Sequence, residues 1–560
     1  MDLAEPNDLA SLRRILKVHE IEDLVRHFDG KPGGRPYAWD GIRWREIPNQ
    51  LWENLAEEIL AKSGKLGNTR SEVRAKIKEI KELRTVLKMN FESAHLLVLR
   101  DGKVLDLKKK VEDPEGRWLL DAAEVKRHLI TAKAGVAYRP SRQTFDIPLH
   151  DLIAERTGDP EVFDFVMTFL AGTLYGVPRV KGVLEIFNLR RNTGKTAFMK
   201  VLAKIYGDYA VKMSTHLLTP GLQHHADQFL YRKRFARVIT MDETDESTAL
   251  NERLVKAITG RDTFQVPYKT ALEDDFLVEA KLILDSNNLV RPQFEESTIA
   301  DRTFIVPWGK PYRADDRVAS FEDTFADQQK LDEFFAVLVD VYFPKWWKLT
   351  SFEREGRMAI THEMFLLNAN PSKTFLERCC HIGKEAYEKI GSRHTISEVY
   401  RFFTRWLKNY QLHLIKALGM DYDDFGNPMS DAQLLAEAKI PTQSDFKQVL
   451  DRVLGQATRM NSGLVWKNLV VHPVLIVNIT SSSVDDFIPG FSRMMDIIDK
   501  TRSTLFHMQD VSQQIETVNT ITEEGRLKVE DLIVPPNNPQ ALLEAMAALS
   551  LMLSSNTADS

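Results

Sequence analysis

Apolar strands alternate with helices through residues 151–350, and this alternation is the feature that most restricts how the chain can fold. Strands and helices that follow one another in this way form a parallel sheet with helices packed on its faces. The segments predicted as strands are VLEIFNL, RVITMDE, KLILDSN and TFIVPW, and those predicted as helices are DPEVFDFVMTFLAGTLYG, TAFMKVLAKIYG and ALNERLVKAITG. The sequence therefore predicts an α/β layer with a largely parallel sheet.

Composition excludes several classes of protein for this chain of 560 residues. Hydrophobic residues make up 43% and charged residues 28%, values that exclude wholesale disorder and fibrous repeats. No apolar run approaches the roughly 20 residues of a membrane helix, and the first residues lack the pattern of a secretory signal. The two cysteines, Cys379 and Cys380, are adjacent, which excludes a disulfide scaffold. We expect a protein that is not secreted, has no membrane partner and works in a reducing compartment.

Shifts in composition divide the chain into four predicted domains. Residues 1–150 are mixed α+β, with hairpins around Asp40 and Asp101 and a charged helix between them; residues 151–350 form the α/β layer. Residues 351–475 contain three helices and then strands, the order of a winged helix, although an unspecific helical subdomain has the same pattern. Residues 476–560 are an acidic tail ending in an amphipathic segment, which is either a helix for self-association or for binding a partner, or a frayed end.

The strand VLEIFNL leads into the sequence RRNTGKT, which has the form of a phosphate-binding loop. A phosphate is stabilised where a strand turns into a helix N-terminus, because free N–H groups and the helix dipole point at it. Lys195 would reach the β- and γ-phosphates, and the Thr196 hydroxyl would hold Mg²⁺. The full pattern begins with glycine, whereas this chain has Leu189. The predicted phosphate-binding residues are Asn192, Thr193, Gly194, Lys195 and Thr196.

Three further elements follow at intervals that suit nucleotide chemistry. Asp242 and Glu243 end an apolar strand 47 residues after Lys195, where one carboxylate can hold Mg²⁺ and the next can polarise water. Asn287 ends another strand, which we expect between the two preceding ones, where its amide can reach a γ-phosphate. Arg302 precedes the last strand and can stabilise transition-state charge. Each also has a plainer interpretation: a loop start, a strand-end turn and a salt bridge with the adjacent aspartate.

These elements together resemble the superfamily-three helicases of the AAA+ class, in particular the poxvirus-type and phage/plasmid primase-helicases. The segments MDETD, SNNL and DRTFIVPW look like the family's extended Walker B, sensor and arginine-finger segments, and KAITGRD looks like its characteristic K-x-[LI]-T-G-x-D segment. The resemblance implies an AAA+ P-loop ATPase core, a helicase-associated N-terminal domain and a winged-helix-like C-terminal domain. It implies a homo-hexameric ring with ATP and Mg²⁺ between subunits. The implied catalytic residues are Lys195, Asp242, Glu243 and Asn287 from one subunit and Arg302 from its neighbour.

The resemblance also implies a substrate and a place of action. A hairpin after KAITGRD would enter the ring channel, where Lys269 could grip phosphates of single-stranded DNA and Phe264 or Tyr268 could stack on bases. The implied function is an ATP-dependent helicase in replication of a virus, phage or mobile element, in the cytoplasm or a host replication compartment. We expect single-stranded or forked DNA as partner. A separate primase or polymerase is a further expected partner, since residues 1–150 lack an acidic triad or zinc-knuckle cysteines.

Two other functions remain open from the sequence. An ATPase ring could melt or load origins, or act in defence, without processive unwinding. A degenerate P-loop protein, as Leu189 suggests, could instead be a DNA-binding assembly scaffold. The whole chain carries a formal net charge of −5, so any contact with nucleic acid must use local basic patches.

Overall fold

A computed structural model describes most of the first 471 residues of the chain. The described residues are 9–27, 35–65, 69–83, 85–86, 94–140, 147–177, 179–218, 222–241, 251–260, 262–265, 275–289, 299–312, 326–382, 394–460, 463–466 and 468–471. Two compact units emerge from the packing of the chain, Met1–Ala369 with Leu414–Ser430, and Asn370–His413 with Asp431–Ser560. The predicted four-domain division stays a prediction, and the acidic tail lies outside the described residues.

The N-terminal part of the first unit contains two small sheets and several helices. Its elements are α1 (Leu9–Ile15), β1 (Leu24–His27), β2 (Arg35–Trp39), β3 (Trp44–Glu46), α2 (Asn49–Lys62), α3 (Arg70–Leu83), β4 (Thr85–Val86), β5 (Leu96–Val98), β6 (Lys103–Asp106), α4 (Leu107–Glu112) and β7 (Leu119–Asp121). Both predicted hairpins are confirmed, β2–β3 around Asp40 and β5–β6 around Asp101. The charged helix is α3. Thr69 caps its N-terminus through reciprocal hydrogen bonds with Glu72.

The remainder of the first unit contains the predicted alternation of strands and helices. Its elements are α5 (Pro148–Thr157), α6 (Pro160–Thr173), β8 (Val183–Phe187), α7 (Lys195–Tyr206), β9 (Ala210–Met213), α8 (Gln223–Arg232), β10 (Val238–Met241), α9 (Glu252–Gly260), β11 (Phe264–Gln265), β12 (Asp275–Phe276), β13 (Lys281–Ser286), α10 (Ile299–Arg302), β14 (Thr303–Pro307), α11 (Gln328–Val337), a π-helix (Leu338–Tyr342), α12 (Phe343–Lys348) and α13 (Arg357–Ala369).

A five-stranded sheet in the order β14-β8-β13-β10-β9 forms the centre of this region. Every neighbouring pair in it is parallel, which confirms the predicted parallel α/β layer and is compatible with a P-loop core. The strand that ends before Asn287 does lie between β8 and β10, as expected. The edge strand β9 was not predicted, because it is short and only its last residue, Met213, is buried.

Helices cover both faces of this sheet, since every residue of β8, β10, β13 and β14 is buried. One face packs against α6, α7, α11 and α12 in a large apolar core that includes Leu184 and Ile186 of β8. The opposite face packs against α8 and α9 in a second core that includes Val183 and Leu282. Burial on both faces explains why these strands read as continuous apolar runs.

The second unit contains short helices followed by short strands. Its elements are α14 (Pro371–Cys379), β15 (Cys380–Ile382), most of α15 (Ile396–Ala417), α16 (Asp431–Ala436), α17 (Gln443–Leu454), β16 (Thr458–Met460), β17 (Gly463–Val465) and β18 (Leu469–Val471). Thr395 and Thr442 cap α15 and α17, since each hydroxyl oxygen accepts a hydrogen bond from the backbone of the first helical turn. Phe403 stacks on Phe446 with ring centroids 4.4 Å apart, which joins α15 to α17. The winged-helix assignment stays a prediction.

No helix in the described part of the chain combines the length and the apolar character needed to cross a membrane.

Candidate functional site: a phosphate-binding loop and two strand ends

The loop between β8 and α7 is held, by a buried amide, to the segment that directly follows the neighbouring strand β14. Asn188 Nδ2 donates to the carbonyls of Trp308 and Gly309, at 2.5 and 3.1 Å. Its Oδ1 accepts from Arg190 N at 2.8 Å. Asn188 is only 1% exposed, so its side chain fixes where the loop leaves the sheet.

The backbone of the loop then adopts two left-handed conformations before the helix begins. Asn192 has φ 57°, and it is the one non-glycine with positive φ among the described residues. Gly194 has φ 83° and precedes the first residue of α7, Lys195. Glycine carries no steric cost at such an angle and leaves room for a ligand beside the backbone. The N-terminus of the 12-residue helix α7 therefore opens onto this loop, where it favours anions.

The Lys195 ammonium group lies under the loop and contacts the end of β13. Its Nζ donates to Asn287 Oδ1 at 2.5 Å and to Thr193 Oγ1 at 3.3 Å. The Lys195 side chain is 5% exposed, so it is held in position rather than free in solvent. Three of the predicted site residues, Lys195, Thr193 and Asn287, are thus brought together, although 92 residues separate the lysine from the asparagine.

A carboxylate that the sequence analysis did not identify completes this group. Thr196 Oγ1 donates to Asp285 Oδ2 at 2.9 Å, and Lys195 Nζ lies 3.9 Å from Asp285 Oδ1. Asp285 is 5% exposed. The signal that could have found it is a charged residue inside an otherwise apolar strand, because buried carboxylates are rarely tolerated without a partner.

The predicted Walker B residues, Asp242 and Glu243, lie outside the described residues. The strand that precedes them, β10, ends at Met241, which is paired with Leu284 of β13. The last described residue of β10 is therefore next to the strand that carries Asp285. The assignment of Asp242 and Glu243 stays a prediction.

Arg302 lies at the end of α10, where its guanidinium group contacts the same chain. Its Nη1 donates to Lys256 O at 3.0 Å and to Thr259 Oγ1 at 2.8 Å, both in α9. A cation at this position is stabilised by the carbonyls and the negative dipole end of that helix. The structure therefore gives Arg302 an intramolecular partner, and its role towards a neighbouring subunit stays a prediction.

Of the predicted DNA-binding residues, Phe264 lies in a short antiparallel ribbon, β11–β12. Phe264 is 6% exposed and stacks on Phe276 with centroids 5.4 Å apart. A ring packed in this way offers no face to a base, so the predicted stacking role of Phe264 is not supported by its placement. Tyr268 and Lys269 lie outside the described residues.

The group of side chains has the chemistry of a site for a phosphate ester and a hard cation. An ammonium group and a helix N-terminus attract anions, while hydroxyl and carboxylate oxygens are the ligands that Mg²⁺ prefers. The strand ends that carry these groups lie beside each other in a parallel sheet, which is where open α/β sheets bind ligands.

Comparison with known proteins adds distant structural similarity. The chain is similar to the C-terminal region of NrS-1 in its apo A form, with 13% identity and a TM-score of 0.41 over 80% of this chain and 98% of that one. A second A-form structure of that region, residues 305–718, has 12% identity and a TM-score of 0.39 over 82% of this chain and 98% of that one. An apo structure of the same residues has 13% identity and a TM-score of 0.39 over 80% of this chain and 97% of that one. No family model and no curated protein sequence matches the chain. The function must therefore be argued from the site itself.

Proposed function

We propose that this chain binds ATP with Mg²⁺ at the end of β8 and hydrolyses it to drive movement along single-stranded DNA. The observation that carries the proposal is the convergence of Lys195, Thr196, Asp285 and Asn287 at the N-terminus of α7. Nothing in the packing of an ordinary α/β layer requires an ammonium, a hydroxyl, a carboxylate and an amide to meet at one helix N-terminus.

The proposal gives each side chain a role, from its position for Lys195, Thr196, Asp285 and Asn287 and from the sequence pattern for Asp242 and Glu243. Lys195 neutralises charge on the β- and γ-phosphates, and Asn287, which it contacts at 2.5 Å, orients the terminal phosphate or the attacking water. Thr196 and Asp285 would hold Mg²⁺ together with Asp242, while Glu243 would accept the proton of the water. A bound Mg²⁺ would supply neutralisation of the negative charge that the phosphates carry.

A path from the nucleotide to DNA is suggested by the order of elements along the chain. Helix α9 is held by Arg302 at its C-terminal end, and the ribbon β11–β12 follows it directly. Movement of α9 would therefore move the ribbon, whose connecting segment contains Lys269. In a ring, Arg302 would lie near a neighbouring subunit. There it would act as the arginine finger that stabilises transition-state charge on that subunit's nucleotide.

The first test is ATP turnover by the full chain, with and without single-stranded DNA. We expect DNA to stimulate turnover and Lys195→Ala to lower it by about a hundredfold, the usual order for losing a group that stabilises transition-state charge. Lys200→Ala on the exposed side of the same helix is the matched control and should stay within twofold of the wild type. Turnover that is unaffected by Lys195→Ala would contradict the proposal.

A second measurement separates the alternative functions. DNA-stimulated turnover together with displacement of an annealed strand supports a helicase, whereas turnover without displacement supports a ring that melts or loads DNA. DNA binding by an oligomer that neither binds nor hydrolyses ATP would support the scaffold, with Leu189 marking a disabled loop.

A further inference from the structure

A tight turn from far along the chain lies against the phosphate-binding loop. Residues 421–429, here called the 421–429 turn, close on themselves through a bridge between Tyr422 and Pro428 and a bond from Met429 N to Asp421 O at 2.9 Å. Asp423 Oδ1 accepts from the backbone of Phe425 and Asn427, at 2.9 and 2.8 Å. The turn is therefore internally hydrogen-bonded, and it belongs to the first unit.

Asp423 of the turn is close enough to the loop for the charge of Arg190 to act on it. Hydrogen bonds from Asn427 lower the pKa of Asp423, and the positive charge of Arg190 lowers it further. Asp423 therefore stays ionised, and its carboxylate accepts hydrogen bonds within the turn. The adjacent residue, Asp424, contacts the loop.

Asp424 makes two hydrogen bonds to the loop, one from its side chain and one from its backbone. Arg191 N donates to Asp424 Oδ1 at 2.8 Å, and Asn192 Nδ2 donates to Asp424 O at 3.0 Å. On its other side, Asn192 O accepts from Tyr312 N at 3.0 Å. Asn192, the non-glycine residue with left-handed backbone, is thus held by two separate segments of the chain.

These contacts hold a backbone conformation that the sequence of the loop does not by itself favour. Asparagine tolerates the left-handed region better than most residues but less freely than glycine, so contacts from the surrounding chain help to determine this conformation. The position that normally carries the first glycine of this motif is Leu189, so the loop lacks the freedom that glycine gives. We propose that Asp424 is a positioning residue, which holds residues 190–194 in the conformation that binds phosphate.

This inference rests on the proposed function. An alternative role for Asp424 predicts the opposite effect on the affinity for phosphate. A carboxylate beside a phosphate site could instead weaken anion binding through repulsion. The two differ in what the side chain must supply: positioning needs an acceptor oxygen at Oδ1, whereas repulsion needs the negative charge. Asp424→Asn keeps an acceptor and removes the charge, and Asp424→Ala removes both.

The experiment measures binding of the fluorescent analogue MANT-ATP, with Mg²⁺, to the full chain and its variants. We expect Asp424→Ala to raise Kd about tenfold, equivalent to about 1.4 kcal/mol, and Asp424→Asn to stay within about twofold of the wild type. Asp421→Ala is the matched control, because Asp421 contributes its main-chain carbonyl to the same turn. Thermal unfolding without nucleotide should be equal in all four proteins, which excludes a general loss of stability as the cause.

A second variant tests the other hydrogen bond. Asn192→Gly removes the bond to Asp424 O but makes the left-handed conformation easier. Weaker binding by Asn192→Gly supports the need for the contact, whereas tighter binding contradicts it.

The remaining outcomes each overturn the inference in a recognisable way. Unchanged Kd in Asp424→Ala would mean that the turn is a passive neighbour. Tighter binding in both Asp424 variants would establish repulsion, and an equal loss in both would show that an acceptor oxygen is not what the loop requires. Binding to the wild type that Lys195→Ala leaves intact, or no binding at all, would instead refute the proposed nucleotide site, and this inference with it.

Discussion

Asp285 is a buried carboxylate that contacts two residues of the phosphate-binding segment. It accepts a hydrogen bond from Thr196 at 2.9 Å and lies 3.9 Å from the Lys195 ammonium group. The ammonium charge offsets part of the cost of burying a carboxylate. With Mg²⁺ bound, the same oxygen atoms are available to the ion or to its water ligands, which is the usual way in which proteins hold this metal.

We therefore expect Asp285→Asn, which preserves the shape of the side chain, to raise the Mg²⁺ concentration that gives half-maximal turnover by about tenfold. An amide is a weaker ligand and carries no charge to attract the ion. MANT-ATP binding in the absence of Mg²⁺ should be retained, because a negative charge near the phosphates has been removed. The measurement is a Mg²⁺ titration of turnover and of nucleotide fluorescence.

Thr196→Ser is the control for Asp285→Asn, since it keeps the hydroxyl that contacts Asp285. Its Mg²⁺ requirement should match that of the wild type. If Asp285→Asn also has an unchanged Mg²⁺ requirement, Asp285 serves only to orient Thr196.

The residues of the site were predicted from the sequence to the extent that their motifs are local. Lys195 and Thr196 belong to one short segment, and Asn287 follows an apolar strand, so each has a visible context. Asp285 has none, because its partners are about 90 residues away. Asp424 lies still further from the loop it contacts, at a separation of 233 residues, and only the folded chain shows that contact.

At the scale of elements, the far end of α7 approaches the backbone of residues 133–135 very closely. Gly135 N donates to Ile205 O at 2.9 Å, and Asp208 N donates to Lys133 O at 3.0 Å. A Cβ atom at position 135 would lie 1.9 Å from Lys204 O. The helix that begins at the phosphate-binding loop is thus attached, at its other end, to the segment that precedes the α/β layer.

We expect Gly135→Ala to lower the free energy of unfolding by about 2–3 kcal/mol, because backbone must shift to admit the methyl group. Gly64→Ala is the control: Gly64 has φ +68° with no atom within 4 Å of an added Cβ, so it should cost about 1 kcal/mol from conformation alone. Equilibrium urea unfolding measures both. A smaller loss in Gly135→Ala than in Gly64→Ala would show that the contact is not tightly packed.

Elements were easier to predict than the contacts between them. Strands buried on both faces, such as β8 and β13, and long helices with clear caps, such as α3 and α17, were visible in the sequence. The edge strand β9 and the contact at Gly135 were not, because neither has a hydrophobic period or a turn signal of its own. Where a glycine meets distant backbone, the sequence shows a glycine but not its partner.

At the scale of the whole molecule, the first compact unit is built from two separate stretches of the chain. The first unit includes Leu414–Ser430. In the sequence, this segment is both preceded and followed by residues of the second unit. Composition could not show this, since residues 414–430 resemble the segments on either side of them in polarity. The segment that contacts the phosphate-binding loop is therefore covalently continuous, at both ends, with the second unit.

Charge is also distributed unevenly over the whole chain. Residues 501–560 contain eight acidic and three basic residues, which accounts for the entire net charge of −5. The preceding 500 residues are therefore balanced. A negative tail tethered to a protein that binds DNA competes with the DNA for basic patches and repels it at long range.

We therefore expect the chain ending at residue 500 to bind single-stranded DNA several-fold more tightly than the full chain at low salt, because the repulsion has been removed. The difference should disappear near 1 M salt, where the Debye length falls to about 3 Å. A full-length variant with the eight acidic residues changed to their amides is the control for loss of chain length, and it should behave like the shortened chain. Weaker DNA binding and a smaller mass in solution for the shortened chain alone would show instead that the tail holds subunits together, since only the shortened chain has lost the amphipathic segment.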